Sequence, residues 1–245
     1  MKNHTLHRSA LREYDIRGIV GQTLFEEDAY AIGRSFGSIL IRSGGKRIAV
    51  GRDGRLSSPA MEAQLVSGLM DAGCDVVKIG LGPTPMLYYA EVTQDVDAGI
   101  QITGSHNPAE YNGFKMVLRN ASFFGADIQR LGRIAADGDW EGEWQSGRGT
   151  ETTIAVEDAY VEHLLKGLHI PPYRIGWDAG NGASGRIIEA LVARLPGEHF
   201  TLFTDIDGTF PNHHPDPTEE KNLAHLKALV ADKKLDFGQI GRAHV

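Results

Sequence analysis

Short apolar runs of strand length alternate with segments of helical periodicity along this chain. In residues 26–42, for example, Ile32, Phe36 and Leu40 recur on one helical stripe. Strands separated by helices pair in parallel, because each crossover needs about the length of a helix, and the helices then cover the sheet. The alternation therefore predicts an α/β fold. The apolar runs lie at residues 48–51, 76–79, 98–102 and 174–177.

The alternation falls into two halves. Residues 138–153 combine Gly, Ser, Thr, Trp and charge with no apolar period, so they are interpreted as a linker. In the first half Ser58 is predicted to cap a helix that Pro59 opens. In the second half Thr218 is predicted to cap another helix.

The composition disfavours several classes of partner. The formal net charge is -7, and a negative protein repels nucleic acid and anionic membranes. The single Cys74 excludes an internal disulfide, and a buried structural thiol is expected there. Residues 1–12 hold no sustained apolar run, so we expect no signal peptide, and no segment is long enough to span a bilayer. The predicted compartment is the cytoplasm.

Residues 103–108 read Thr-Gly-Ser-His-Asn-Pro and follow an apolar run directly. Gly104 permits a tight bend and Pro108 prevents a helix from starting at once, so Ser105 is expected on a loop at the end of a strand. One interpretation is an ordinary turn, because these residue types are common in loops. The other is a serine that carries and transfers phosphate, with His106 beside it.

Phosphoryl transfer requires cations that cancel the charge of the moving group, and usually a divalent metal. Candidate cations are Arg17, Lys115 and His106, with Arg52 and Arg55 as weaker ones. Apolar residues alternate around Lys115, which is typical of a strand that directs this side chain inward.

Together these pieces resemble the α-D-phosphohexomutase family, and within it the bacterial phosphomannomutase/phosphoglucomutases. The resemblance runs from about Arg12 to Gly238. In the first half it is carried by Tyr-Asp-Ile-Arg-Gly at 14–18, Gly-Arg-Asp-Gly-Arg at 51–55, Gly-Pro-Thr-Pro at 82–85, the hexapeptide at 103–108 and Asn-Gly-Phe-Lys at 112–115. In the second half it is carried by Asp-Ala-Gly-Asn-Gly at 178–182 and Asp-Gly-Thr-Phe-Pro-Asn-His at 207–213.

The resemblance implies an isomerase that interconverts hexose 6-phosphate and hexose 1-phosphate, of mannose or glucose, through a phosphoserine and a bisphosphate sugar. Ser105 would carry the phosphate, and a phosphate oxygen would help to hold Mg2+. His106, Lys115 and Arg17 would be catalytic with it. The substrate would be bound by Tyr14, Arg17, Asn107 and Lys115.

The resemblance also implies two consecutive three-layer α/β domains with mixed, largely parallel sheets. The phosphoserine domain is expected over residues 1–148 and a truncated second domain over 153–238. Family members continue into an aspartate loop that supplies Mg2+ ligands and into two further domains. Residues 239–245 do not resemble that continuation and are expected to be a non-native tail, translated from a sequencing adapter. The chain is therefore expected to lack mutase activity by itself; its oligomeric state and sugar preference stay open.

Two alternatives to a mutase follow from the same sequence. The first is a non-catalytic fragment that binds sugar phosphates or a protein partner. The second is a nicotinamide-dependent oxidoreductase, because residues 180–185 fit G-x-G-x-x-G after a strand and Asp205 lies twenty residues beyond Gly185. That pattern leaves every motif of the first half unexplained. The pair His213 and His214 is expected to form part of a structured loop, not a metal site.

Overall fold

The structure is a computed structural model that describes residues 2–141 and 148–240. The described residues fall into two compact units, one within Met1–Gly104 and Glu110–Ala155, the other within Ser105–Ala109 and Val156–Val245. In chain order the elements are β1 (Ile16–Ile19), α1 (Glu26–Arg42), β2 (Arg47–Arg52), α2 (Ser58–Asp71), β3 (Asp75–Leu81), α3 (Thr84–Thr93), β4 (Ala98–Ile102), β5 (Tyr111–Leu118), β6 (Ala121–Ser122), α4 (Ala126–Asp137), β7 (Glu151–Thr153), α5 (Glu157–Leu165), β8 (Arg174–Asp178), α6 (Gly185–Val192), β9 (Glu198–Leu202), α7 (Ala224–Lys233) and β10 (Phe237–Ile240).

The first unit is built on a mixed sheet. Its strands lie in the order β1-β5-β4-β2-β3-β7, with β6 beside β5. The pairings among β4, β2, β3 and β7 are parallel, whereas β5 runs antiparallel to both β1 and β4. The predicted α/β class with mixed, largely parallel sheets is confirmed.

Helices cover both faces of this sheet. Val50 and Ile100 belong to one buried core with Phe36 of α1 and Leu65 of α2. The neighbouring Gly99 points to the other face, where a Cβ would lie 3.3 Å from Leu87 of α3. Because successive strand residues point to opposite faces and both faces are covered, β2, β3 and β4 are mostly apolar and lack the strict alternation of apolar and polar residues.

The two long helices of the first unit approach each other through glycine. A Cβ on Gly33 would overlap the carbonyl oxygen of Leu65, and a Cβ on Gly68 would overlap that of Tyr30. Each glycine therefore lies directly against the backbone of the opposite helix. This contact sets how closely α1 and α2 approach.

The second unit contains three parallel strands in the order β10-β8-β9. Helix α7 packs on one face, where Leu226 lies against Gly176 of β8 and Gly238 of β10. Glycine at both positions gives the Leu226 side chain room against the strands. None of the helices in the described part of the chain combines the length and apolar character needed to cross a membrane.

Neither Ser58 nor Thr218 occupies the helix-cap position predicted for it. Helix α2 begins at Ser58, with Ser57 in the cap position, because the Ser58 hydroxyl donates to Asp53 (2.7 Å) instead of accepting from a helix amide. Thr218 caps no α-helix: its amide and hydroxyl both donate to Asp216, and α7 begins only at Ala224, after a 3-10 helix over Glu220–Leu223.

The predicted linker is partly wrong. Residues Glu151–Thr153 form β7, which pairs in parallel with β3. Asp75 anchors this strand by accepting from the amide and the hydroxyl of Thr150. Trp140 is half-buried against the core and donates from Nε1 to Ser35 (2.9 Å). Residues 142–147, including Trp144, and residues 241–245 of the expected tail lie outside the described residues.

Replacing Gly68 with alanine tests the contact between α1 and α2. We expect Gly68→Ala to lower the free energy of unfolding by about 1–3 kcal/mol, because the methyl group forces the two backbones apart. Gln64→Ala, at an exposed position of the same helix, is the control and should change stability by less than about 0.5 kcal/mol. Urea titration of both variants is the measurement. Equal stability of the two would contradict the close contact.

Cys74 provides a test of burial in the first unit. The thiol is buried, and desolvation raises its pKa to about 12. Almost no thiolate is then present at pH 8, so the folded chain should not react with 5,5′-dithiobis(2-nitrobenzoate) while the urea-unfolded chain is fully modified. Reaction of the folded chain at the unfolded rate would show that the thiol is accessible.

Candidate active site

The candidate site lies where β2 and β4 end side by side. The two strands are parallel, so the residues that follow them, Asp53 and Thr103, come to the same edge of the sheet. The Asp53 amide donates to the carbonyl of Ile102 (2.9 Å), and the Thr103 amide donates to that of Gly113 (2.9 Å). The sheet pairing thus continues to the residue before Gly104.

Gly104 is held on both sides of its backbone. Its amide donates to Asp53 Oδ2 (3.0 Å), and its carbonyl accepts from Arg17 Nη1 (2.5 Å). A Cβ at this position would overlap the guanidinium of Arg55, which is 1% exposed. Only glycine fits between the two arginines at this point.

Ser105 follows Gly104 in a left-handed conformation, with φ of 55°. A non-glycine residue in this conformation stores roughly 1–2 kcal/mol of strain. The Ser105 hydroxyl lies 3.3 Å from His106 Nδ1. Asn107 belongs to the same half-buried turn, and the segment Ser105–Ala109 groups with the second unit.

Arg17 and Lys115 share one carboxylate. Asp15 Oδ2 accepts from Arg17 Nη2 and lies 3.6 Å from Lys115 Nζ. Arg17 is buried on β1 and Lys115 lies on the adjacent strand β5, so the strand pairing brings the two cations together. Arg17 Nε is buried and has no hydrogen-bond partner among the described residues.

Asp53 and Arg55 form a second buried pair, with Arg55 Nε donating to Asp53 Oδ2 (3.2 Å). Burial lowers the pKa of Arg55, and the nearby Arg17 guanidinium lowers it further, while Asp53 opposes both effects. Arg55 Nη1 also donates to the carbonyl of Tyr111 (3.0 Å). Asn112 completes the network by donating to the Ser58 hydroxyl (3.0 Å).

Sequence reasoning missed the two aspartates. The signal that could have revealed them is the repeated spacing Asp-x-Arg, at Asp15–Arg17 and again at Asp53–Arg55. Arg52, a weaker candidate cation, is instead directed to Glu62 (3.4 Å between Nε and Oε2). Tyr14, the residue before Asp15, has 76% of its surface exposed.

The described residues do not by themselves form a Mg2+ site. Among them, no three His, Cys, Asp or Glu side chains lie together as metal ligands. Both Asp15 and Asp53 are occupied by arginine and other donors. Since Mg2+ needs several oxygen ligands in near-octahedral geometry, these side chains do not fit the ion without further ligands.

Side chains of the second unit pack against its glycine-rich turn at residues 180–185. The Gly180 amide donates to Asp178 Oδ1 (2.8 Å), and the ring of His213 packs against Gly180. His213 Nε2 lies 3.1 Å from each oxygen of the Asp178 carboxylate. This packing favours a role of residues 180–185 as scaffold, with His213 in a structured loop as expected.

The fold and this edge of the sheet define an α/β protein in which a serine directly follows a glycine whose backbone is held by buried arginine and aspartate side chains. Residues 8–140 match the family model described as phosphoglucomutase/phosphomannomutase, alpha/beta/alpha domain I, and residues 158–240 match that of domain II. The chain therefore belongs to the phosphoglucomutase/phosphomannomutase family.

Named relatives agree with this assignment. The chain is 41% identical over 238 residues to the phosphomannomutase/phosphoglucomutase of Pseudomonas aeruginosa, covering 97% of this chain and 50% of the relative. It is 41% identical over 235 residues to the phosphoglucomutase of Neisseria meningitidis serogroup B, covering 96% and 51%. A solved family protein from Burkholderia thailandensis superposes with a TM-score of 0.88 at 42% identity, covering 94% and 51%. The chain spans about half the length of these relatives.

The carboxylate between Arg17 and Lys115 can be tested by substitution. We expect Asp15→Asn to lower the free energy of unfolding by about 2–4 kcal/mol, because a buried guanidinium loses its counter-charge. Asp95→Asn is the matched control: it breaks the ion pair with Arg47 at a side chain that is 96% exposed, where less than about 1 kcal/mol is expected. Urea unfolding of both variants is the measurement. A loss no larger than that of the control would show that the buried pair adds no stability.

Proposed function

We propose that the protein is a phosphohexomutase that interconverts hexose 6-phosphate and hexose 1-phosphate, of mannose or glucose. The observation that carries the proposal is the bend at Gly104, where a strained serine directly follows a peptide held by Arg17 and Asp53. Membership in the phosphoglucomutase/phosphomannomutase family supports it. The substrate is an anionic sugar, and the proposed compartment is the cytoplasm.

In the proposed reaction, the phosphate on Ser105 passes to a hydroxyl of the sugar phosphate. The P–O bond to the serine breaks as the bond to the sugar oxygen forms, and the sugar hydroxyl gives up its proton. The resulting bisphosphate sugar then reorients and returns its other phosphate to Ser105. In this second transfer the P–O bond to the sugar breaks and the bond to the serine oxygen re-forms. The phosphoserine is thus restored, and the isomerised sugar phosphate leaves with a proton on the oxygen that gave up its phosphate.

The roles of the charged residues follow from the chemistry of this transfer. A phosphoserine carries about -1.5 to -2 charges near pH 7, so cations must stabilise it before and during transfer. Arg17 and Lys115 supply two positive charges that one aspartate shares. We assign the movement of the sugar proton to Lys115 and His106, and contacts with the substrate to Tyr14, Arg17, Asn107 and Lys115.

Mg2+ is proposed as the cofactor of the whole protein, where it would neutralise phosphate charge. Within the described residues only the phosphate of Ser105 would offer it oxygen ligands. Water molecules or residues outside the described ranges would supply its other ligands.

The proposal is tested on the longest polypeptide that the gene encodes. With Mg2+ and a trace of hexose 1,6-bisphosphate, we expect turnover of mannose or glucose 1-phosphate and, by mass spectrometry, a phosphate on Ser105. Ser105→Ala should lower kcat by more than about 1,000-fold because the acceptor hydroxyl is lost. Ser122→Ala, at an exposed serine of β6, should leave kcat unchanged. Undiminished turnover by Ser105→Ala would refute the role of the serine.

A further inference from the structure

We propose that Asp53 is a positioning residue for Ser105: its buried carboxylate fixes the peptide group before the serine and so holds the hydroxyl in the orientation from which phosphate is transferred. This inference rests on the proposed function and adds to it a residue that does not touch the substrate.

The Asp53 carboxylate is itself held in place by hydrogen bonds. Its Oδ1 accepts from the Arg55 amide (3.0 Å) and the Ser58 hydroxyl (2.7 Å). Its Oδ2 accepts from Arg55 Nε (3.2 Å) and the Gly104 amide (3.0 Å). Four donors from three residues therefore fix both oxygens, and the start of α2 is one of the anchors.

The backbone of Gly104 is restrained by contacts with three side chains. Arg17 holds its carbonyl, Asp53 holds its amide, and Arg55 packs where a side chain would be. These contacts restrain the Gly104 backbone at its carbonyl, its amide and its Cα. The next backbone torsion along the chain is φ of Ser105.

The backbone of Ser105 is strained. Its φ of 55° is a conformation that a non-glycine residue keeps only when its surroundings enforce it. The neighbouring carboxylate supplies part of that enforcement through Gly104. Because phosphoryl transfer depends on the alignment of the attacking and leaving oxygens, loosening this backbone should slow the transfer more than it weakens substrate binding.

A purely structural role for Asp53 predicts a different result, and Asp97 provides the matched comparison. Asp97 also accepts hydrogen bonds from backbone amides, those of Lys46 (2.7 Å) and Arg47 (3.0 Å). These amides lie at the opposite end of β2 from Asp53. Asp53→Asn and Asp97→Asn make the same chemical change, each turning a backbone-holding carboxylate into an amide. Only the first lies next to the serine.

The experiment measures kcat, KM and urea stability of both variants in the longest polypeptide that the gene encodes, with Ser105→Ala as reference. We expect Asp53→Asn to lower kcat by about 100-fold while KM for the sugar phosphate changes less than about threefold. Asp97→Asn should keep the wild-type kcat. Ser58→Ala, which removes one donor to Asp53 and leaves the others, should lower kcat by about threefold to tenfold and serves if Asp53→Asn fails to fold.

The outcomes separate the two levels of the proposal. If Ser105→Ala is inactive and folded Asp53→Asn, or in its place Ser58→Ala, keeps the wild-type kcat, the positioning role is refuted and the proposed function stands. Equal losses of kcat in Asp53→Asn and Asp97→Asn also refute it, because they indicate a structural role. If the wild-type protein has no mutase activity, or Ser105→Ala keeps it, the proposed function falls and the positioning role falls with it.

Discussion

Two buried aspartate–arginine pairs, one on each side of Gly104, are the interaction on which the candidate site depends. Asp15 with Arg17 holds the carbonyl of the glycine, and Asp53 with Arg55 holds its amide. In each pair the aspartate carboxylate balances the charge of a buried guanidinium, whose burial would otherwise be unfavourable. The cations are thus present at the bend before any phosphate arrives, and they are already oriented by hydrogen bonds.

The rest of the first unit supplies the frame for these pairs. The parallel pairing of β2 with β4 puts Asp53 beside the end of the strand that leads to Ser105. Gly33 and Gly68 let α1 and α2 approach closely, and Ser58, the first residue of α2, donates to the Asp53 carboxylate. Helix α2 and the bend are therefore connected through Asp53.

The sequence predicts the elements of this frame but not the contacts within the site. Strands covered on both faces are mostly apolar, so β2, β3 and β4 could be located without a structure. The serine loop could also be located, because glycine and proline bound it. The role of Asp53 could not, since its partner Gly104 is distant in sequence and meets it only through sheet register. The error at β7 has the same cause, because Asp75, which anchors this polar strand, is distant in sequence. The error at Ser58 is local: the carboxylate of Asp53, five residues earlier, accepts from its hydroxyl.

The placement of Arg17 on an edge strand also affects how the protein is made. Residues Ile16–Ile19 pair antiparallel with Tyr111–Phe114, and these segments are separated by most of the first unit. Long-range pairings of this kind form late, since their loop-closure entropy must be overcome first. During translation the first cation of the site is synthesised early, yet it stays without Lys115 and Gly104 until β4 and β5 have emerged from the ribosome. The charged bend therefore forms only after most of the first unit has been synthesised.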